Sequence, residues 1–113
     1  PPDSEYSNFL ANDGGRHLVL AISYPDAKPL ADAAEARRMV QESVLKVGRK
    51  KYKSTGEFPP TPNDPYLRLI YPREIGPADK SLVFDLYLPG KGNSYQLVEF
   101  RMKDLLYHGK LEM

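Results

Sequence analysis

Residues 30–52 read LADAAEARRMVQESVLKVGRKKY, and this stretch decides the architecture. Leu30, Ala33, Ala36, Val40, Val44 and Val47 recur at three- and four-residue steps, which places them in one stripe of an α-helix. Glu35, Arg38, Glu42, Lys46 and Arg49 fall opposite. Pro25, Asp26 and Pro29 stand just ahead, where a fixed φ is tolerated and an Asp side chain can accept from a free backbone donor. The spacing predicts one long helix that starts between Asp26 and Leu30 and runs to about Tyr52, a length of roughly 35 Å. Its stripe is expected to set Val40, Val44 and Val47 on Leu67, Leu69, Phe84, Leu86, Val98 and Phe100.

Outward from this helix the period changes to two. Leu18, Leu20, Ile22 and Tyr24 alternate within Arg16–Tyr24, and turn-forming residues 12–15 precede them. On the other side, Lys53 to Pro65 reads as a long loop, because Gly56, Pro59, Pro60, Pro62 and Pro65 remove donors and lock φ. Beyond it Leu67, Leu69 and Tyr71 share a face, as do Leu82, Phe84, Leu86 and Leu88, then Val98, Phe100 and Met102. Leu105, Tyr107, Leu111 and Met113 form a last such set. The Gly90–Ser94 loop and the Lys103–Asp104 reversal are too short for crossovers, so the final three strands are expected to be antiparallel neighbours.

The order β-α-β-β-β-β predicts an α+β fold of two layers: one long helix packed on a mostly antiparallel sheet of four to five strands. In architecture alone this is similar to cystatin-like folds. The inhibitor motifs of that family have no counterpart here: no Gln-Val-Val-x-Gly loop occurs, and a chain without Trp has no Pro-Trp hairpin. Residues 1–15, polar with isolated Tyr6, Phe9 and Leu10, read as a flexible N-terminal arm ahead of a single domain over 16–113.

Length and composition bound the function classes. A chain of 113 residues that is 41% hydrophobic and 27% charged supports one core. The longest apolar runs fall far short of the roughly 20 residues a spanning helix needs. Pro1 is not an initiator Met, so the chain reads as a mature or excised piece, and localisation is not legible from its terminus. Zero cysteines remove thiolate nucleophiles and thiolate metal sites, and a formal net charge of +1 leaves no global field for a polyanion.

Candidate chemistry is sparse. Two histidines, His17 and His108, could serve a metal or a proton only if the first and last strands paired. Asp85 and Glu99 are candidates to face one another across a hairpin as coupled carboxylates. The sequence Gly90-Lys91-Gly92 is followed by a strand where a phosphate loop needs a helix. No dinucleotide, Walker, zincin, calcium-loop or serine-elbow motif is present. No catalytic residue, metal site or cofactor is therefore expected.

Two features remain. Eight tyrosines accompany no tryptophan. Tyr66, Arg68, Tyr87 and Tyr95 fall on strand faces away from the core stripe, with the Tyr and Arg composition in which protein-binding patches are enriched. Lys46, Arg49, Lys50, Lys51 and Lys53 form the densest charge cluster, which as a helix end would complement the dipole and as a surface would attract nucleic acid or another polyanion. The first feature leads to a non-enzymatic protein-binding domain of a larger or secreted protein, with homo-oligomers open to it through a sheet edge or open face. The second is the alternative.

Overall fold

The computed structural model describes residues 9, 14–76, 78–105 and 111–112. It is an α+β fold, and its strands form two antiparallel sheets rather than one. The strands are β1 (His17–Ser23), β2 (Val44–Val47), β3 (Lys50–Lys53), β4 (Gly56–Phe58), β5 (Tyr66–Pro72), β6 (Ser81–Tyr87), β7 (Tyr95–Arg101) and the two-residue β8 (Leu111–Glu112). Helix α1 spans Ala33–Glu42, and Met102–Leu105 makes a single helical turn, α2. The first sheet runs β4-β5-β1, with β8 paired only to Val19 and Leu20 at the β1 edge. The second runs β3-β2-β6-β7.

The chain passes repeatedly between the sheets, so both inner faces share one core. Leu18, Leu20, Leu67, Leu69 and Tyr71 from the first sheet meet Leu45, Val47, Leu82, Phe84 and Leu86 from the second. The Tyr71 and Phe84 rings touch edge-on at 5.2 Å between centroids, which ties the two layers directly. Strand alternation accounts for this division: the expected faces of β1, β5, β6 and β7 all point inward as the period of two requires. A smaller cluster, Val19 and Ile70 with Phe9 and Phe58, lies apart from that core. Of the proposed arm, Phe9 packs there; residues 1–8 and 10–13 lie outside the described residues.

The long helix does not form. Asp32 caps α1 by accepting from the N–H groups of Ala34 (2.9 Å) and Glu35 (3.3 Å), and a short 3-10 turn over Lys28–Ala31 leads into it. After ten residues the chain turns extended at Ser43. The cause is tertiary. The Ser43 hydroxyl accepts from the Tyr87 N–H (3.1 Å) while its carbonyl accepts from the Tyr71 hydroxyl (2.9 Å), so the helix end is tied to both sheets. Val44–Val47 and Lys50–Lys53 then make a hairpin around Gly48-Arg49, with Val47 opposite Lys50. Gly48 supplies the positive φ, 59°, that a two-residue loop needs at its first position. The buried helix residue is Met39, and Val44 stands half-exposed on the outer face of β2, not in the core.

Four further expectations change. Gly56–Phe58 pairs with β5, so the Pro-rich loop contains a strand. The last strand joins β1 in the other sheet rather than following β7, and Met102–Leu105 is helical where a tight reversal is expected; residues 106–110 and 113 lie outside the described residues. A helix of ten residues beside two sheets also differs from the expected cystatin-like arrangement of one long helix on one sheet.

Candidate interaction surface

Strand β7, Tyr-Gln-Leu-Val-Glu-Phe-Arg, alternates polar or exposed residues with Gln96, Val98 and Phe100, and it closes one side of the second sheet. Its register on β6 pairs Tyr87 with Tyr95, Asp85 with Leu97, Val83 with Glu99 and Ser81 with Arg101. Beyond the strand ends the same register continues in the bonds from Leu88 N–H to Ser94 O (2.7 Å) and from Met102 N–H to Lys80 O (2.9 Å). The even-numbered residues of β7 therefore bond toward β6, and the N–H and C=O groups of Tyr95, Leu97, Glu99 and Arg101 point away from it. No described strand lies on that far side. Asn93 Oδ1 accepts the Tyr95 N–H at 3.2 Å, which leaves the stretch from Leu97 to Arg101 as the open window.

Exposed apolar surface collects on the same strand. Leu97 is 68% exposed and Tyr95 54%, the two most exposed large hydrophobic side chains among the described residues. Beside the strand, an apolar slit of about 180 Å³ opens between the sheets, lined by Leu20, Ile22, Leu86, Leu88, Val98 and Phe100 among others.

Tyr87 is 6% exposed and belongs to the main core cluster, contrary to the open position expected for it, whereas Tyr95 is exposed; their rings meet at 5.1 Å between centroids, and α1 covers the Tyr87 side. The Arg38 guanidinium lies over the Tyr87 ring at 4.1 Å and donates to the Tyr87 hydroxyl (3.2 Å), the Tyr95 hydroxyl (2.6 Å) and Glu42 Oε2 (2.7 Å). The Tyr87 hydroxyl in turn donates to Glu35 at 2.9 Å. Glu35 beside it pushes the Tyr87 phenol up, burial adding to the effect, and Glu42 pushes Arg38 up. Tyr66 and Arg68 are elsewhere, on β5 in the first sheet; Arg68 bonds Asp64 at 2.5 and 3.3 Å and lies 5.9 Å from the Tyr66 ring centroid. The four residues thus form two separate pairs. Arg38, Glu35 and Glu42, which bind the Tyr87–Tyr95 pair, lie on the polar face of α1, and no sequence pattern links that face to these two strands.

The basic cluster sits on the β2–β3 hairpin, not at a helix end. Lys46 lies directly opposite Lys51, with Lys53 two residues further along the same face. Lys46 reaches Asp85 at 3.5 Å. Lys50 falls on the other face of β3, and Arg49 occupies the turn. Asp85 and Glu99 are not opposite one another: Leu97 and Val83 are their partners, so the coupled pair is absent from this hairpin. His17 packs against the Phe9 ring, centroids 5.2 Å apart, and His108 lies outside the described residues. No group of three or more metal-ligating side chains occurs among the described residues.

No protein family matches the chain, and neither a curated protein nor a solved structure is detectably similar to it.

Proposed function

We propose that the chain is a non-enzymatic protein-binding domain that receives an extended segment of polypeptide along the β7 edge. One observation supports this above the rest. The two outer edges of the second sheet are treated differently: β3 is short and carries Lys50, Lys51 and Lys53, all exposed, whereas β7 offers seven residues with no proline, and Leu97 and Tyr95 stand exposed on it. Lysines on a short edge strand deter pairing, and β7, which has no lysine and sets its exposed charges Glu99 and Arg101 beside exposed Tyr95 and Leu97, is the less protected edge. Backbone groups from Leu97 to Arg101 supply the affinity of strand addition, and alternate side chains of the guest can reach the slit beside Val98 and Phe100. On the outer face of the same sheet, the exposed Tyr95 stands at the start of this edge, held by Arg38. Tyr66 and Arg68 would contact a partner only on the opposite sheet.

A screen of displayed heptapeptides tests this, followed by amide chemical-shift mapping. Bound peptides are expected to be extended and apolar at alternate positions, to perturb Leu97, Glu99 and Arg101, and to keep their affinity as salt rises from about 0.05 to 0.5 M. Shifts confined to other strands would overturn the reading. The second reading, binding of nucleic acid or another polyanion, is supported by Lys46 facing Lys51, since like charges directly opposite cost stability unless something else is gained. It requires shifts at Lys46, Lys51 and Lys53 and an affinity that collapses over the same salt range.

A further inference from the structure

Resting on that reading, we infer that the segment received at the β7 edge is β7 of a second copy of this chain, paired antiparallel about a two-fold axis at Val98. An isologous contact must be self-complementary, and the sequence of β7 meets that demand. With Val98 facing its own copy, Leu97 stands opposite Glu99 of the second copy and Tyr95 opposite Arg101. Tyr with Arg is a cation–π pairing, and the methylenes of Glu99 lie along the Leu97 side chain that is 68% exposed in the single chain. No like charges face one another directly. On the inner side Gln96 meets Phe100 and Val98 meets Val98, so the mouths of the two apolar slits lie alongside the seam.

The hydrogen-bond pattern permits this register. Only residues whose N–H and C=O groups point away from β6 can form the tight pairs of a new ladder, and these are the odd-numbered ones. In the axis at Val98 odd residues face odd residues throughout. The N–H groups of Leu97, Glu99 and Arg101 of each copy then give about six bonds, while the Tyr95 N–H stays with Asn93. The two four-stranded second sheets become one continuous sheet. A formal net charge of +1 per chain adds little repulsion. The other edges do not compete, because β3 is guarded by lysines, β1 is partly covered by β8, and β4 is three residues long and runs into Pro59 and Pro60.

Sedimentation over a concentration series tests the inference, with amide hydrogen exchange on the same samples. The expected result is a shift from 12.8 kDa toward twice that mass as concentration rises, with protection gained at Leu97, Glu99 and Arg101. Leu97→Pro removes a donor that no described strand uses, so it should leave the melting curve of the dilute chain in place and weaken association at least about ten-fold. Leu97→Lys, which blunts the edge without touching the backbone, should do the same and serves if the proline variant fails to fold. A monomer at every concentration up to about 1 mM overturns the second copy as partner. So does a dimer that both variants leave intact. Peptide capture at Leu97, Glu99 and Arg101 by a chain that stays monomeric would keep the binding function and discard only the self-pairing; loss of both would discard the edge altogether.

Discussion

Single residues fix where the elements stop. Ser43 is fully buried and joins helix, first sheet and second sheet through Met39, Tyr71 and Tyr87. Ser43→Ala leaves the Tyr87 N–H buried without its acceptor and is expected to cost about 1–3 kcal/mol, measurable by urea denaturation. Gly90 is a second such point. Its φ is +79°, and a Cβ there would run into the Pro29 ring. Gly90→Ala combines a strained backbone with that overlap, so a loss of about 1–3 kcal/mol is expected in the same assay. Pro89 beside it accepts the hydroxyl of the buried Tyr24, which fixes the loop onto the end of β1.

At the scale of elements, the decisive question is whether residues 44–53 are helix or hairpin. The two alternatives bury different neighbours. In the stripe of a helix Val44 is inside and Leu45 is off the stripe; in the hairpin Leu45 is fully buried and Val44 is half-exposed. Leu45→Ala is therefore expected to lose about 2–5 kcal/mol, and Val44→Ala less than about 1 kcal/mol. Thermal melts of the two variants separate the cases. The hairpin also makes a charge prediction. Lys51→Glu places an acid directly across from Lys46 in place of a like charge, so stability should rise by roughly 0.2–1 kcal/mol at low salt, and the gain should shrink as salt is added. The same substitution would weaken any polyanion bound to this face.

At the scale of the molecule, two sheets share one core with α1 at the end where β6 finishes and β7 begins. Glu57, on β4 opposite Leu69, is a carboxylate held half-buried in this body, and burial pushes its pKa up. The folded form therefore binds a proton more readily than the unfolded chain. Its contribution falls as pH rises from the ordinary carboxylate value through the raised one, and above that window the charged group is a constant penalty. Glu57→Gln should raise the melting temperature by a few degrees at most near neutral pH, and the gain should fade near pH 4, where the native carboxylate is protonated. A variant that melts above the parent equally at both pH values would show that the effect is not titration.

By itself the sequence determined the α+β class, the inward faces of β1, β5, β6 and β7, the β6–β7 hairpin and the absence of thiol chemistry. Alternation is a local property: Leu82, Phe84 and Leu86 share a side of any strand that contains them. Tertiary structure decided the rest. The stretch 30–47 satisfies a helical period throughout, and the hydrogen bonds that hold the helix end at Ser43 come from Tyr71 and Tyr87, 28 and 44 positions away. The local signals for the hairpin are Val44, Leu45 and Val47 in a short β-prone run and a glycine at 48 suited to a two-residue loop. The candidate surface divides in the same way. That Tyr95 lies exposed on an outward face follows from the period, but the burial of Tyr87 under Arg38, the separation of both from Tyr66 and Arg68, and the unpaired side of β7 depend on which elements became neighbours, and strand order is set by packing between sheets rather than by any pattern within a strand.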